Sequence, residues 1–388
     1  MKQKRKFKLN RKLFTIHGYT GLFIGIFYLI IAVSGASIVF MEELNNLIYG
    51  DDITIQVPAQ GKTLSYDALV AILQKQHPVA SFISISKDVE HPEHAWAAYT
   101  GIPEKTGWFG NSFAYLDYID PYTGKIIFSG NTNGYHNILA FLDTMHTTLW
   151  LGSAGVFTVG IVCVAILISL ITGFIIYRKS ILKVITFKTR IKFKNWRTAN
   201  SDLHRVIGTW ALIINLFIFG TGMYMFYPVF TPQWWSDTNK IVNEKPQIFK
   251  QALTISLDSM YKKSTVLVPE MQTTGLSISY DTSRSVFVFG TVGKLILNED
   301  NFASINYSWD GSVKEKTYKT WNEMSGKEKF DNSYFTMMHT GWAYGTTGKI
   351  IWTIGGFTPA ILSLTGFMLW IRRKKLFKKK QTTQTIQI

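Results

Sequence analysis

Four long apolar runs punctuate the chain, at residues 14–41, 153–177, 206–227 and 350–371. Each is long enough for a helix to cross a bilayer, which takes roughly 20 residues at ~1.5 Å of rise apiece. Between the first two runs the pattern changes. Leu64, Ala68 and Ile72 recur at helical spacing, and residues 83–86 and 95–100 alternate as half-buried strands do. Residues 118–127 read as strand, tight turn, strand, with Asp120-Pro121 and Gly124 in turn positions. Between the third and fourth runs the same order returns, with a helical start at 257–261, strands at 276–280 and 285–289, and a turn at Asp310-Gly311.

Short signatures sharpen this echo. Met145-His146-Thr147 recurs as Met338-His339-Thr340, and Thr172-Gly173-Phe174 recurs as Thr365-Gly366-Phe367 at the same offset. His17, Gly21 and Gly35 map onto His204, Gly208 and Gly222 at a second constant offset. The expected fold is therefore membrane α-helical: a four-helix transmembrane bundle built from a duplicated two-span repeat, carrying two α+β soluble modules. The divisions are 1–41 (N-terminus and first span), 42–140 (first module), 141–178 (second span), 179–203 (connector), 204–228 (third span), 229–335 (second module), 336–372 (fourth span) and 373–388 (basic tail). Each module has enough residues for a core of its own. Ala32, Ser34 and Ala36 resemble a signal-peptide cleavage site, but the run is too long and its counterpart at 206–227 is internal, so it reads as an anchor.

Charge fixes the orientation. The net +16 sits in three blocks, 2–12, 178–197 and 372–380, each flanking an apolar run. Flanks of that kind mark cytoplasmic ends and leave both soluble segments outside; they do not form a basic face for nucleic acid. The two repeats then share one orientation about an axis along the membrane normal. The polar stretch from Gln381 reads as a disordered tail.

One cysteine, Cys163, excludes an intrachain disulfide, a cysteine zinc site and covalent c-type haem. Any metal must be held by histidine. His17 and His204 fall near the cytoplasmic side and His146 and His339 near the outer side. Pairing His17 with His146 is excluded, because opposite ends of a span lie about 25–30 Å apart. Facing pairs 17/204 and 146/339 suit bis-histidine iron, giving two non-covalent haem b groups, one at each side. Gly21 and Gly208, one turn from their histidines, leave room for a porphyrin against the helix, or for close helix packing. Zinc reads as a weaker alternative to iron at these turns, which hold no cysteine, and a proton relay would need an embedded acid.

Other residues read more plainly. His77, His91, His94 and His136 have no repeat counterpart and read as surface or loop histidines, with His91 and His94 open to an external metal complex. Met145 and Met338 read as packing residues. Arg11, Arg178, Arg205 and Arg372 read as topological flanks first and propionate partners second, and Lys349 as a partner for an outer propionate. Trp150, Trp234, Trp235, Trp342 and Trp352 read as interfacial belt residues.

The Arg11-Lys12-Leu13-x-x-x-His17-x-x-x-Gly21 entry, the Asp120-Pro121-x-Thr123-Gly124 turn and the histidine-led spans resemble the PepSY-associated transmembrane proteins, to about residue 375. That group includes bacterial iron-regulated membrane proteins and inner-membrane siderophore reductases. The resemblance implies four spans, two periplasmic PepSY-like modules, and haem-dependent reduction of ferric siderophore or another ferric chelate in the periplasm. It implies an electron donor in the quinone pool or a cytoplasmic reductase, and makes His17, His146, His204 and His339 the haem ligands. The second module departs from the pattern: Ser308-Trp309-Asp310-Gly311 lacks the Pro and Thr. No side chain is assigned a catalytic acid or base role, and no Gly-rich nucleotide fingerprint follows a strand. Two other classes fit the same pattern: a haem-free PepSY binding or regulatory protein, and a siderophore or metal permease.

Overall fold

The computed structural model describes residues 2–102, 107–109, 113–131, 138–243, 255–280, 283–294, 300–317, 323–327 and 336–385; His136 lies outside them. The helices are α1 (Lys2–Ser37), α2 (Met41–Ile53), α3 (Tyr66–Gln76), α4 (Ile138–Thr148), α5 (Gly152–Ile185), α6 (Trp196–Trp210), α7 (Leu212–Phe226), α8 (Pro232–Asn243), α9 (Leu257–Leu267), α10 (Thr336–Thr340) and α11 (Gly345–Thr385). The strands are β1 (Phe82–Ser86), β2 (Trp96–Ile102), β3 (Phe113–Ile119), β4 (Ile126–Asn131), β5 (Gln272–Ser279), β6 (Ser285–Lys294), β7 (Asp300–Ser308) and β8 (Val313–Thr317).

Four stretches are long and apolar enough to cross a membrane: Arg11–Ser37, Gly152–Ile185, Leu212–Phe230 and Gly345–Arg373. α1 packs against α5 and α11, α5 against α7, and α11 against α6 and α7, so the four close into a bundle. Ile31, Val159, Val162, Cys163, Ile166 and Phe219 form its interior. Phe23, Ile26, Ile171, Ile213, Ile354 and Phe367 point outward and stay exposed, as lipid-facing positions do.

The third crossing differs from its expected bounds. A break at Ala211 separates amphipathic α6, which carries His204, from apolar α7. Asn215 on α7 is fully buried and donates to Thr358 Oγ1 on α11. Pro359, inside α11, has no N–H for the carbonyl of Gly355; the Thr358 hydroxyl takes that carbonyl instead, at 2.6 Å. α11 also runs through the last basic block to Thr385, so the tail expected to be disordered from Gln381 is helical that far. Lys, Arg, Gln and Leu are good helix formers, and nothing in 372–385 breaks a helix.

The two soluble segments do not build separate cores. Their strands form one antiparallel sheet in the order β4-β3-β2-β1-β5-β6-β7-β8. The seam pairs β1 with β5, from Phe82↔Ser279 to Ser86↔Gly275, centred on Ser84↔Ser277. A single core crosses it, with Leu69, Leu73, Ile83 and Ile85 from one side and Leu276, Ile278, Val286 and Ile305 from the other. Both segments therefore sit on the same side of the bundle.

α3 and α9 pack over this sheet and cap each other. Ser65 and Ser256 are their N-caps, each accepting from the N–H three residues on. Asp67 Oδ1 then accepts from Leu257 N at 2.9 Å, while Asp258 accepts from Tyr66 N at 3.1 Å and from Asp67 N at 3.3 Å. Each carboxylate thus satisfies the free amides of the other helix, which also suits the helix dipole. Removing such a cap costs about 0.5–2 kcal/mol. Asp258→Ala is expected to lower unfolding stability of the soluble domain by about 1–2 kcal/mol, read by denaturant titration of its circular dichroism.

The two turns are built alike. Asp120 Oδ1 accepts from Tyr122 N and Thr123 Oγ1 donates to Asp120 Oδ2, with Gly124 at φ +73°. At the second turn Ser312 N and Ser312 Oγ donate to Asp310 Oδ1, with Gly311 at φ +79°. Ser312 supplies the hydroxyl that the missing Thr would have given.

Candidate functional site

Each of the four histidines His17, His146, His204 and His339 leans on the helix of a neighbour, and each uses Nδ1 to do so. His17 on α1 meets Ser169 O of α5 at 3.0 Å, and His204 on α6 meets Thr365 Oγ1 of α11 at 2.8 Å. His146 on α4 meets Ile31 O of α1 at 2.8 Å, and His339 on α10 meets Ile218 O of α7 at 2.9 Å. A carbonyl can only accept, so Nδ1 carries the proton at His17, His146 and His339. Thr365 Oγ1 already donates to Ile361 O, so it too accepts from its histidine. The tautomer is thereby fixed in all four rings. Nε2 is left with its lone pair, the state a metal-binding imidazole needs, and the anchored Nδ1–H sets its direction.

A glycine lies under each ring. A Cβ at Gly173 would be 3.2 Å from His17 Cε1, at Gly366 3.4 Å from His204 Cε1, and at Gly222 3.1 Å from His339 Cε1. At Gly35 it would collide with the His146 ring outright. Each of these glycines follows a hydroxyl residue: Ser34-Gly35, Thr172-Gly173, Thr221-Gly222 and Thr365-Gly366. These hydroxyls donate to carbonyls of their own helix, so they sit in apolar surroundings without a stranded donor. Gly21 and Gly208, expected to leave room for a porphyrin against the helix, line the space between His17 and His204 and touch neither ring.

The rings meet in the expected pairs. His17 and His204 have ring centroids 6.4 Å apart, and His146 and His339 6.1 Å apart. Fourteen residues of α1 separate His17 from Ile31, which puts the two pairs about 21 Å apart along the bundle.

Between His17 and His204 opens an apolar cleft of about 1330 Å³, part of it open to its surroundings. Phe14, Tyr28, Ile166, Tyr177, Leu362 and Trp370 line it, and Gly21, Gly173, Gly208 and Gly366 widen it. Arg205 and Arg373 border it, the latter with its guanidinium over the Phe14 ring. Arg372, named from sequence as a flank, does not line this cleft.

His146 and His339 sit on short helices that indole groups hold in place. Trp150 Nε1 donates to Phe141 O of α4, Trp352 Nε1 to Met338 O beside His339, and Trp342 Nε1 to Val39 O at the end of α1. Three tryptophans expected as belt residues thus also brace the outer pair. The chain reverses between α4 and α5 with Leu149 and Trp150 at φ +50° and +59°, and between α10 and α11 with Gly341 at φ +76°. Lys349, expected beside an outer propionate, binds Glu43 at 2.6 Å and lies over the Phe40 and Trp342 rings. Partial burial pushes the Glu43 carboxyl up, but the Lys349 ammonium overrides this and holds it below its ordinary value.

Two other histidines are not surface groups. His77 is buried, donates to Asp117 Oδ2 at 2.7 Å and stacks on Tyr115. Asp117 lies inside the sheet and must have a partner there. His94 is buried as well, against Asp88. Among the described residues, neither bundle pair has a third His, Cys, Asp or Glu near enough to share a metal ion.

No curated protein matches the chain. The model of the PepSY-associated TM region matches residues 14–373, nearly the whole sequence, with all four paired histidines inside the match. The chain belongs to the PepSY-associated TM region family.

Proposed function

We propose that this chain is a two-haem electron-transfer protein of the bacterial inner membrane that reduces ferric siderophore, or another ferric chelate, on the periplasmic side. One observation carries the reading. Two imidazole pairs, each ring anchored through Nδ1, face each other with centroids 6.4 and 6.1 Å apart and no further protein donor among the described residues. A pair of imidazoles with no other protein donor would suit an ion that brings its remaining ligands with it, as iron in a porphyrin does.

His17 with His204 would hold the inner haem b, and His146 with His339 the outer. When bound, haem would supply one-electron exchange at iron. The chain's residues do the rest. The glycines let the imidazoles lie against helix backbone, the apolar walls would keep water from the metal, and Arg373 would offer positive charge to an acidic edge of the inner group, Arg205 being paired with Asp202 at 2.7 Å. The donor would be the quinone pool or a cytoplasmic reductase. Outside, conversion of Fe(III) to Fe(II) weakens a chelate of hard oxygen donors and frees the ion.

The orientation rests on the basic flanks at the N-terminus, the connector and the C-terminus. A tandem duplication accounts for the rest: the mirrored strand order about Ser84↔Ser277 and the exchanged caps of Asp67 and Asp258 are what an isologous contact between two equal halves produces.

Purified protein, oxidised and then dithionite-reduced, is expected to give a low-spin b-type spectrum with about two haems per chain by pyridine haemochrome. A colourless protein, with haem supplied during expression, sinks the reading in favour of a haem-free binding module. Thr365→Val removes the oxygen that orients His204, a kind of change that typically costs 10–100-fold in metal affinity. Its expected result is preferential loss of the inner haem in a competition with apomyoglobin.

A further inference from the structure

Between β1 and β2 runs the segment Asp88-Val89-Glu90-His91-Pro92-Glu93-His94. It lies on the soluble side, against α2, away from both histidine pairs of the bundle. The ligand atoms of His91, Glu93 and His94 all fall within 4.8 Å of one another. His91 Nδ1 and Glu93 Oε1 are 3.4 Å apart, too far for a strong hydrogen bond. That is close to the ~3.3 Å edge of a tetrahedron whose metal bonds are ~2.0 Å long. The two rings have centroids 4.7 Å apart. Their planes are 25° from parallel, in a stacked arrangement, so binding one ion through both rings requires one imidazole to turn about its side-chain bonds.

The backbone holds the three groups in place from outside. Asp88 Oδ1 accepts from Glu90 N and His91 N, His94 N donates to His91 O, and Ile55 N at the end of α2 donates to Glu93 O. Asp88 Oδ2 takes His94 Nδ1 at 3.2 Å, which leaves Nε2 as that residue's ligand atom. Asn46 of α2 stands 3.5 Å from His91 Nε2, and its amide can present either oxygen or nitrogen there. A carboxylate behind one imidazole and an amide behind the other are supports that metal-binding histidines commonly have. The Glu93 and His91 side chains are 50% and 41% exposed, so an ion held here keeps open positions toward solvent.

We propose that His91, Glu93 and His94 bind a divalent first-row transition ion. Two imidazoles and one carboxylate with open positions are a donor set suited to Fe(II). The ion the site is built to take is the Fe(II) set free at the outer face; that assignment rests on the proposed reduction, whereas divalent-ion binding does not.

The test is anaerobic equilibrium dialysis of the detergent-purified full chain against ⁵⁷Fe(II), with metal analysis and Mössbauer spectroscopy to separate this iron from haem iron. Wild type is expected to take up about one high-spin Fe(II) per chain beyond haem. His91→Ala and Glu93→Gln change exposed side chains, so the fold should persist, and each is expected to weaken this uptake at least ~10-fold with haem content unchanged. Equal uptake by wild type and the His91→Ala/Glu93→Gln double variant, or none by either, overturns the site. Zn(II) dialysis of the same proteins reads the site even in a haem-free preparation: zinc retained without haem removes the reductase reading and keeps the site.

Discussion

His146→Ala is expected to lower bound haem from about two to about one per chain, with the remaining haem keeping a bis-histidine spectrum. His146 faces His339 from α4, with its Nδ1 anchored on the Ile31 carbonyl of α1. Alanine leaves His339 on Ile218 with nothing opposite it. The inner pair, about 21 Å away along α1, keeps all of its contacts. α4 itself stays braced by Trp150 on Phe141, so loss of haem should not be loss of fold. Reduction of an external ferric chelate should fall to the uncatalysed background, while the inner haem remains reducible by dithionite. Haemochrome stoichiometry with reduced-minus-oxidised spectra decides the matter. Loss of both haems together, or of neither, would contradict two independent pairs.

The second large effect belongs to a residue with no chemistry of its own. Gly35→Ala puts a methyl where the His146 ring lies. The ring cannot yield on its other side without leaving Ile31 O and turning away from His339. Elsewhere in a helix the same substitution stabilises by roughly 0.5–1 kcal/mol. Gly35→Ala should therefore lose the outer haem without losing helix stability. A graded series sharpens the point. At Gly222 the new methyl would stand 3.1 Å from His339, so a smaller effect is expected; at Gly220 nothing lies within 4 Å, and no effect is expected. Haem retention in the order Gly220→Ala, Gly222→Ala, Gly35→Ala is the predicted result. Equal retention in all three would mean that the rings do not rest where the glycines put them.

Much of this arrangement was legible in the sequence because it is written in periods. Apolar runs near 20 residues announce the crossings, alternation announces the strands, and two constant offsets single out His17, His146, His204 and His339 among eight histidines. Other features leave no such trace. The anchors of His146 and His339 are the carbonyls of Ile31 and Ile218, and a carbonyl has no residue signature. A sequence hint was present in the four Ser/Thr-Gly pairs, which mark places where another helix's ring can press on bare backbone. The break at Ala211 was missed because α6 and α7 read together as one apolar-ended run. The seam between β1 and β5 joins residues about 190 positions apart, beyond any local pattern. His77 looked like a loop residue because its reason for burial, Asp117, lies forty residues away on β3.

The shared sheet also sets a schedule for making the protein. When the first segment emerges, β1 is an edge strand with one side unpaired, and its partner β5 has yet to be synthesised. At about 5–20 residues per second, the ribosome needs roughly 10–40 s to reach β5. During that interval the bare edge is a template for any other extended chain nearby. Two nascent copies could pair β1 to β1, since Ser84 at the centre of the seam is met by a serine, Ser277, in the native partner and would be met by Ser84 itself in a second copy. Separately expressed halves should, by the same logic, find each other through this edge.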